Sequence, residues 1–148
     1  MAYVISQLDH LHAGVQRKRV LWGLTWCVRV VMALAFLPAG LGKAVGVPFT
    51  SLPISDEVGY FFDALLRTGF FYQFIGICQV VAALLLLTPW TATLGALAYL
   101  PIACGMFALT VSMNFGTTYE ITGLLLLANL YLLCWDYDKL KPIFRRYK

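Results

Sequence analysis

The sequence predicts an all-α fold: an integral membrane four-helix bundle with an amphipathic helix in the first outer loop. Three observations predict it. Of the 148 residues, 61% are hydrophobic and only 12% charged, against about half apolar and about 25% charged in a soluble domain. A mean hydropathy of +0.79 cannot be hidden in so small a core, because a globule still needs a polar surface, so lipid is the natural solvent. The apolar residues gather into four runs, each near the roughly 20 residues that cross the hydrocarbon. The charge is also asymmetric. Arg17, Lys18 and Arg19 precede the first run and Lys139, Lys141, Arg145, Arg146 and Lys148 follow the last, whereas the long loop carries Asp56, Glu57 and Asp63 against Arg67. Lys and Arg near span ends stay cytoplasmic. Both termini are therefore expected in the cytoplasm, the spans even in number and the chain multi-pass in the inner (plasma) membrane.

In chain order, Val4, Leu8, Leu11 and Val15 recur at helical spacing. Two readings fit residues 2–16: a short helix on the cytoplasmic membrane surface, or a polar tail with His10 and His12 solvated. Span one covers about 21–45. The basic triplet before it imitates a signal peptide, but Arg29 interrupts the apolar stretch and the run is read as a span. Pro38 should kink it, and Ala35, Ala39, Gly42 and Gly46 form a small-residue stripe that would let another helix come close.

Residues 46–69 form the outer loop. Ser55 is the expected N-cap, with Asp56 and Glu57 in the first turn, where the helix dipole favours negative charge. Val58, Phe61, Phe62, Leu65 and Leu66 then fall on one apolar face, Asp63 and Arg67 pair at i, i+4, and Gly69 can end a helix over about 56–68. Span two covers about 70–87, with Tyr72, Gly76, Gln79 and Ala83 on one face, and Thr88-Pro89 stops it. Span three covers about 91–113 with Ala98, Pro101, Gly105, Ala108 and Ser112 as a small face. Span four covers about 119–135, with Thr122, Asn129 and Asp136 at heptad spacing. The whole chain, 1–148, reads as a single transmembrane domain.

Polar residues inside lipid are the candidate site. An intramembrane charge costs at least about 2.5–3.5 kcal/mol and faces a partner or a cavity. Arg29 and Lys43, fourteen residues apart, lie within about 40° of one another around the helix and roughly 21 Å apart along it, with Phe36 between them. Lys43 is expected to pair with Glu120 at the same level, or else to snorkel to the headgroups. Arg29 lies at the depth of Asn129 and Asp136. Gln79 needs a mid-membrane partner, either another helix or a ligand. The polar stripe of Arg29, Lys43, Gln79, Glu120 and Asn129 is thus either structural or a binding site.

Several function classes are excluded. Neither histidine lies in a span, which argues against haem held by an intramembrane His. Cys27, Cys78, Cys104 and Cys134 form no C-x-x-C pair and are expected as buried, reduced thiols, unlike those of a disulfide-forming oxidoreductase. No metal site, nucleotide motif, nucleophile or acidic relay is present, so no catalytic centre and no cofactor of its own are expected. The basic tail flanks a span and suits anionic lipid rather than nucleic acid.

The run Arg29-Val-Val-Met-Ala-Leu-Ala-Phe36-Leu-Pro-Ala-Gly40-Leu-Gly-Lys43 resembles the opening helix of the DoxX family, with its Arg, Phe, Gly and Lys at this spacing. Gly76-Ile-Cys-Gln79-Val-Val-Ala-Ala-Leu-Leu-Leu-Leu87 is similar to that family's second helix, with Gln79 standing where an acidic residue is often found. The similarity covers about residues 25–135. The resemblance implies a four-helix membrane subunit that accompanies redox systems, such as a thiosulfate:quinone oxidoreductase or oxidative-stress complexes. It therefore implies an accessory subunit of a membrane redox or respiratory complex, with other membrane subunits as partners and a quinone contact possible. The alternatives are a protein that binds or transports a small molecule, lipid or quinone in a cavity between spans one, two and four, and a membrane assembly factor.

Overall fold

The computed structural model describes the backbone of residues 19–144 and the side chains of 20–140. The expected N-terminal segment and most of the flanking basic residues lie outside the described residues. Within them the chain is helical with no strand: α1 (Arg19–Ala44), α2 (Glu57–Arg67), α3 (Phe70–Leu87), α4 (Ala92–Ser112), α5 (Thr118–Trp135) and α6 (Tyr137–Phe144). Four of these, α1, α3, α4 and α5, are long and apolar enough to cross a membrane. Large apolar side chains such as Leu34, Leu84, Leu94, Leu124 and Leu127 are more than half exposed around the bundle, a surface that only lipid or another apolar partner can cover.

One end of the bundle carries the long α1–α3 connection with α2, together with the α4–α5 turn; it is called the loop end below. At the other, the terminal end, α1 begins and α5 passes into α6. The α4–α5 turn is tight because Asn114 (φ 47°) and Gly116 (φ 47°) both take left-handed backbone, which Asn and Gly tolerate best.

The amphipathic α2 forms where its apolar spacing places it, but its N-cap is Asp56 rather than Ser55. Asp56 Oδ1 accepts from the backbone N–H of Val58 at 2.9 Å and of Gly59 at 3.3 Å, satisfying donors that the first turn leaves orphaned. Asp63 and Arg67 pair at 2.7 Å on the exposed face. Gly59 is required by crowding: a Cβ there would run into the carbonyls of Leu52 and Pro53. Helix α6 was not evident in the sequence. Beyond Trp135 the chain turns polar and reads as a tail, yet Leu140 packs against the bundle core.

Packing is centred on α1 against α3, with α4 joining α3 to α5. The close approach is made by Gly40 and Gly76, not by the stripe of Ala35, Ala39, Gly42 and Gly46. A Cβ on Gly76 would collide with Ala44 N and Gly40 O, whereas one on Gly42 would meet nothing within 4 Å, and Ala35 faces outward. Small residues occur on several faces of α1; the matching glycine on α3 selects which face is used. The core between the helices holds Met32, Phe36, Ala83, Leu86, Tyr99 and Leu132, with the Phe36 and Tyr99 rings stacked at 3.6 Å between centroids. The cysteines are not buried as expected. Cys27, Cys104 and Cys134 are exposed and Cys78 is half-buried, because the core-facing positions are taken by the glycines, alanines and polar residues that let the helices close.

Candidate functional site

The charged stripe of α1 is real in burial: Arg29 is 6% exposed and Lys43 5%. Its two ends have different surroundings. At the terminal end Arg29 Nη2 donates to Asp136 Oδ2 at 3.1 Å. Thr93 Oγ1 donates to the same oxygen at 2.8 Å, and Lys139 Nζ lies 3.1 Å from Asp136 Oδ1. Asp136, at the C-cap of α5, thereby ties α1, α4 and α6 together. A burial this deep requires a paired charge, and Asp136 supplies it in a contact that reads as structural, although Arg29 Nε has no partner among the described residues. A small pocket of about 290 Å³ beside it is walled by Trp22, Trp26 and Trp135.

The mid-membrane amides are helix-to-helix contacts. Asn129 Nδ2 donates to Ala96 O at 3.1 Å, so Asn129 serves α4 and not Arg29. Gln79 is fully buried, and its Nε2 donates to Met106 Sδ at 3.4 Å, with Tyr99 OH donating to the same sulfur at 3.7 Å. Sulfur is a weak acceptor, and Gln79 Oε1 is among the buried polar atoms without a partner in the described residues.

At the loop end the expected Lys43–Glu120 pair does not form. Glu120 is exposed in the first turn of α5, and α1 and α5 touch far less than α1 and α3. Equal depth put the two residues level, but not on the same side of the bundle. Nor does Lys43 snorkel. Its Nζ turns inward, donates to Ala39 O at 3.3 Å and sits 4.5 Å from the centre of the Phe49 ring.

Lys43 borders a cavity of about 360 Å³ and is the charged residue in its wall. Phe61, Phe62 and Leu65 of α2 form the roof, with Phe49 and Phe115 beside them. Phe71 and Ile75 of α3, Met106 and Leu109 of α4, and Thr118 and Thr122 of α5 complete the wall. The Thr110 and Thr122 hydroxyls, 2.7 Å apart, close the α4–α5 side by satisfying one another. Phe71, Pro101 and Gly105 lie in the wall and are also exposed, so the cavity opens sideways between α3 and α4. Of the expected polar stripe, only Lys43 reaches it; Arg29, Gln79, Glu120 and Asn129 do not. The third span supplies more of the wall than the first. The missed signal was compositional: phenylalanines at 49, 61, 62 and 115 gather at one end of the chain's helices, opposite a Pro101–Gly105 face that cannot fill space.

Such a cavity has the size of a small-ligand pocket, about 300–1,000 Å³, and the usual build of apolar walls with few polar groups. The chain is 30% identical over 139 residues to the uncharacterized protein YwoB of Bacillus subtilis (strain 168), with 90% of each chain covered. No protein-family model and no solved structure matches it.

Proposed function

The chain belongs to the family of Bacillus subtilis YwoB, a relative named only as uncharacterized, and from the site we propose that it is a membrane protein that binds an apolar small molecule of the lipid or quinone class. The observation that carries this is the cavity itself. Packed membrane bundles have no reason to leave about 360 Å³ of apolar space under an amphipathic helix, since lost contacts on that scale are destabilising. An apolar guest entering sideways from the bilayer between α3 and α4 would restore those contacts. The basic ends and acidic loop support a reading with both termini on the cytoplasmic side of the plasma membrane, in which the cavity opens to the outer leaflet. No catalytic step is assigned to it.

Native mass spectrometry after extraction in mild neutral detergent tests the proposal. Wild-type protein should carry a lipid-sized adduct, and Gly105→Phe, placed where a Cβ meets nothing within 4 Å, should lose it while keeping its fold. An unliganded wild type in native extracts would count against it.

A second reading has its own support. Ala98, Pro101, Gly105, Ala108 and Ser112 form a small-residue face on α4 that is exposed rather than used inside the bundle, which suits the approach of another helix. Together with the DoxX-like resemblance, this favours an accessory subunit of a membrane redox complex, the cavity then holding its quinone or lipid. Co-purification with a redox partner would support it; a protein that always runs alone would not.

A further inference from the structure

Lys43 asks for more than an apolar guest. Its ammonium is buried, and an ammonium carries three donors, of which the Ala39 carbonyl takes one. The Phe49 ring face offers a further, weaker attraction. The acidic groups at this end are otherwise engaged or turned away. Asp56 caps α2, Asp63 pairs with Arg67, and Glu57 and Glu120 are exposed. At the opposite end of the same helix Arg29 has Asp136. Among the described residues, one buried cation of α1 thus has a counter-charge and the other has none and faces a cavity. A buried charge is stable when paired and hydrogen-bonded, and charge-assisted bonds to an ammonium are the strong ones.

We propose that the loop-end cavity takes an amphiphile with a single anionic head, a carboxylate or a phosphate, seated on Lys43. Its apolar tail runs along the Phe62–Met106 wall and out between α3 and α4. This rests on the binding reading above and names the chemistry of the guest.

The test is equilibrium binding of palmitate, palmitoyl lysophosphatidate and hexadecanol to the purified chain in neutral-detergent micelles, with Lys43→Met and Lys43→Arg alongside. At least one anion should bind about tenfold or more tightly than hexadecanol, a gap of about 1.4 kcal/mol. Lys43→Met should level the three, and Lys43→Arg should keep the preference. Preference for palmitate points to a free fatty acid, and preference for lysophosphatidate to a phosphate headgroup; either supports the proposal. Hexadecanol binding as tightly as both anions would overturn the anionic head and leave the binding reading standing. No binding of any of the three, in the wild type as in Gly105→Phe, would overturn both. Should Lys43→Met fail to fold, the three-ligand comparison on the wild type still decides.

Discussion

Removing Asp136 should damage this protein much more than removing Arg29, although the two form one ion pair. Asp136 accepts from Arg29, Thr93 and Lys139 at 3.1, 2.8 and 3.1 Å. In Asp136→Ala the Arg29 guanidinium, with 7% of its side chain exposed, keeps its charge and loses its counter-ion. Breaking a buried pair in this way costs about 3–5 kcal/mol. In Arg29→Met the apolar side chain lies among apolar neighbours, while Asp136 retains Thr93 and the half-exposed Lys139. The cost should be near that of a hydrogen bond to a charged group, about 1.5–3 kcal/mol. Thr93→Val, which removes a hydrogen bond to the same carboxylate, should cost a similar amount, about 1.5–3 kcal/mol. The assay is reversible unfolding in mixed micelles titrated with anionic detergent, followed by tryptophan fluorescence and far-ultraviolet circular dichroism. Trp26 stands 6.0 Å from the Arg29 guanidinium and reports on this end directly. An Asp136→Ala loss below about 1 kcal/mol, or an Arg29→Met loss as large as that of Asp136→Ala, would refute the reasoning; surface pairs are worth only about 0–1 kcal/mol.

Gly76→Leu should force α1 off α3, because the backbone of Gly40 and Ala44 stands where the side chain must go. Overpacking of about 1–3 kcal/mol or more would show as a lower unfolding midpoint, whereas Gly42→Leu, into open space, should change it little. Asp56→Ala should cost about 1 kcal/mol of cap and appear as faster amide exchange at Val58 and Gly59, with α3 unaffected. In a cysteine-free background of intact cells, Ser51→Cys should react with a membrane-impermeant maleimide and Lys139→Cys should not; the opposite pattern would invert the orientation that the basic ends predict.

The parts of the fold that were legible in the sequence are those written in local periodicity. Each apolar run and the i, i+3, i+4 face of α2 are specified by residues within a few turns of one another. Burial of Arg29, Lys43, Gln79 and Asn129 was legible as well, because polar groups in lipid must face inward. Their partners were not. Arg29 and Asp136 are 107 positions apart, and the spacing of α1 says nothing about which helix stands beside it. The expected Lys43–Glu120 pair rested on depth alone, and depth leaves the angle around the bundle axis open. Sequence regularity favours the stripe beside Gly40, since only Gly76 on the facing helix distinguishes the two. The cavity is a property of five helices that fail to fill a space together, which no single segment encodes.

Whether the space beneath α2 holds a guest is decided by a cryo-electron-microscopy structure of the chain in native lipid. A bound guest would appear as elongated density between Phe62 and Met106, reaching Lys43 Nζ within hydrogen-bond distance and leaving between α3 and α4. Phe61, Phe62 and Leu65 collapsed onto Met106, with Lys43 turned out to the headgroups and no space between them, would contradict it.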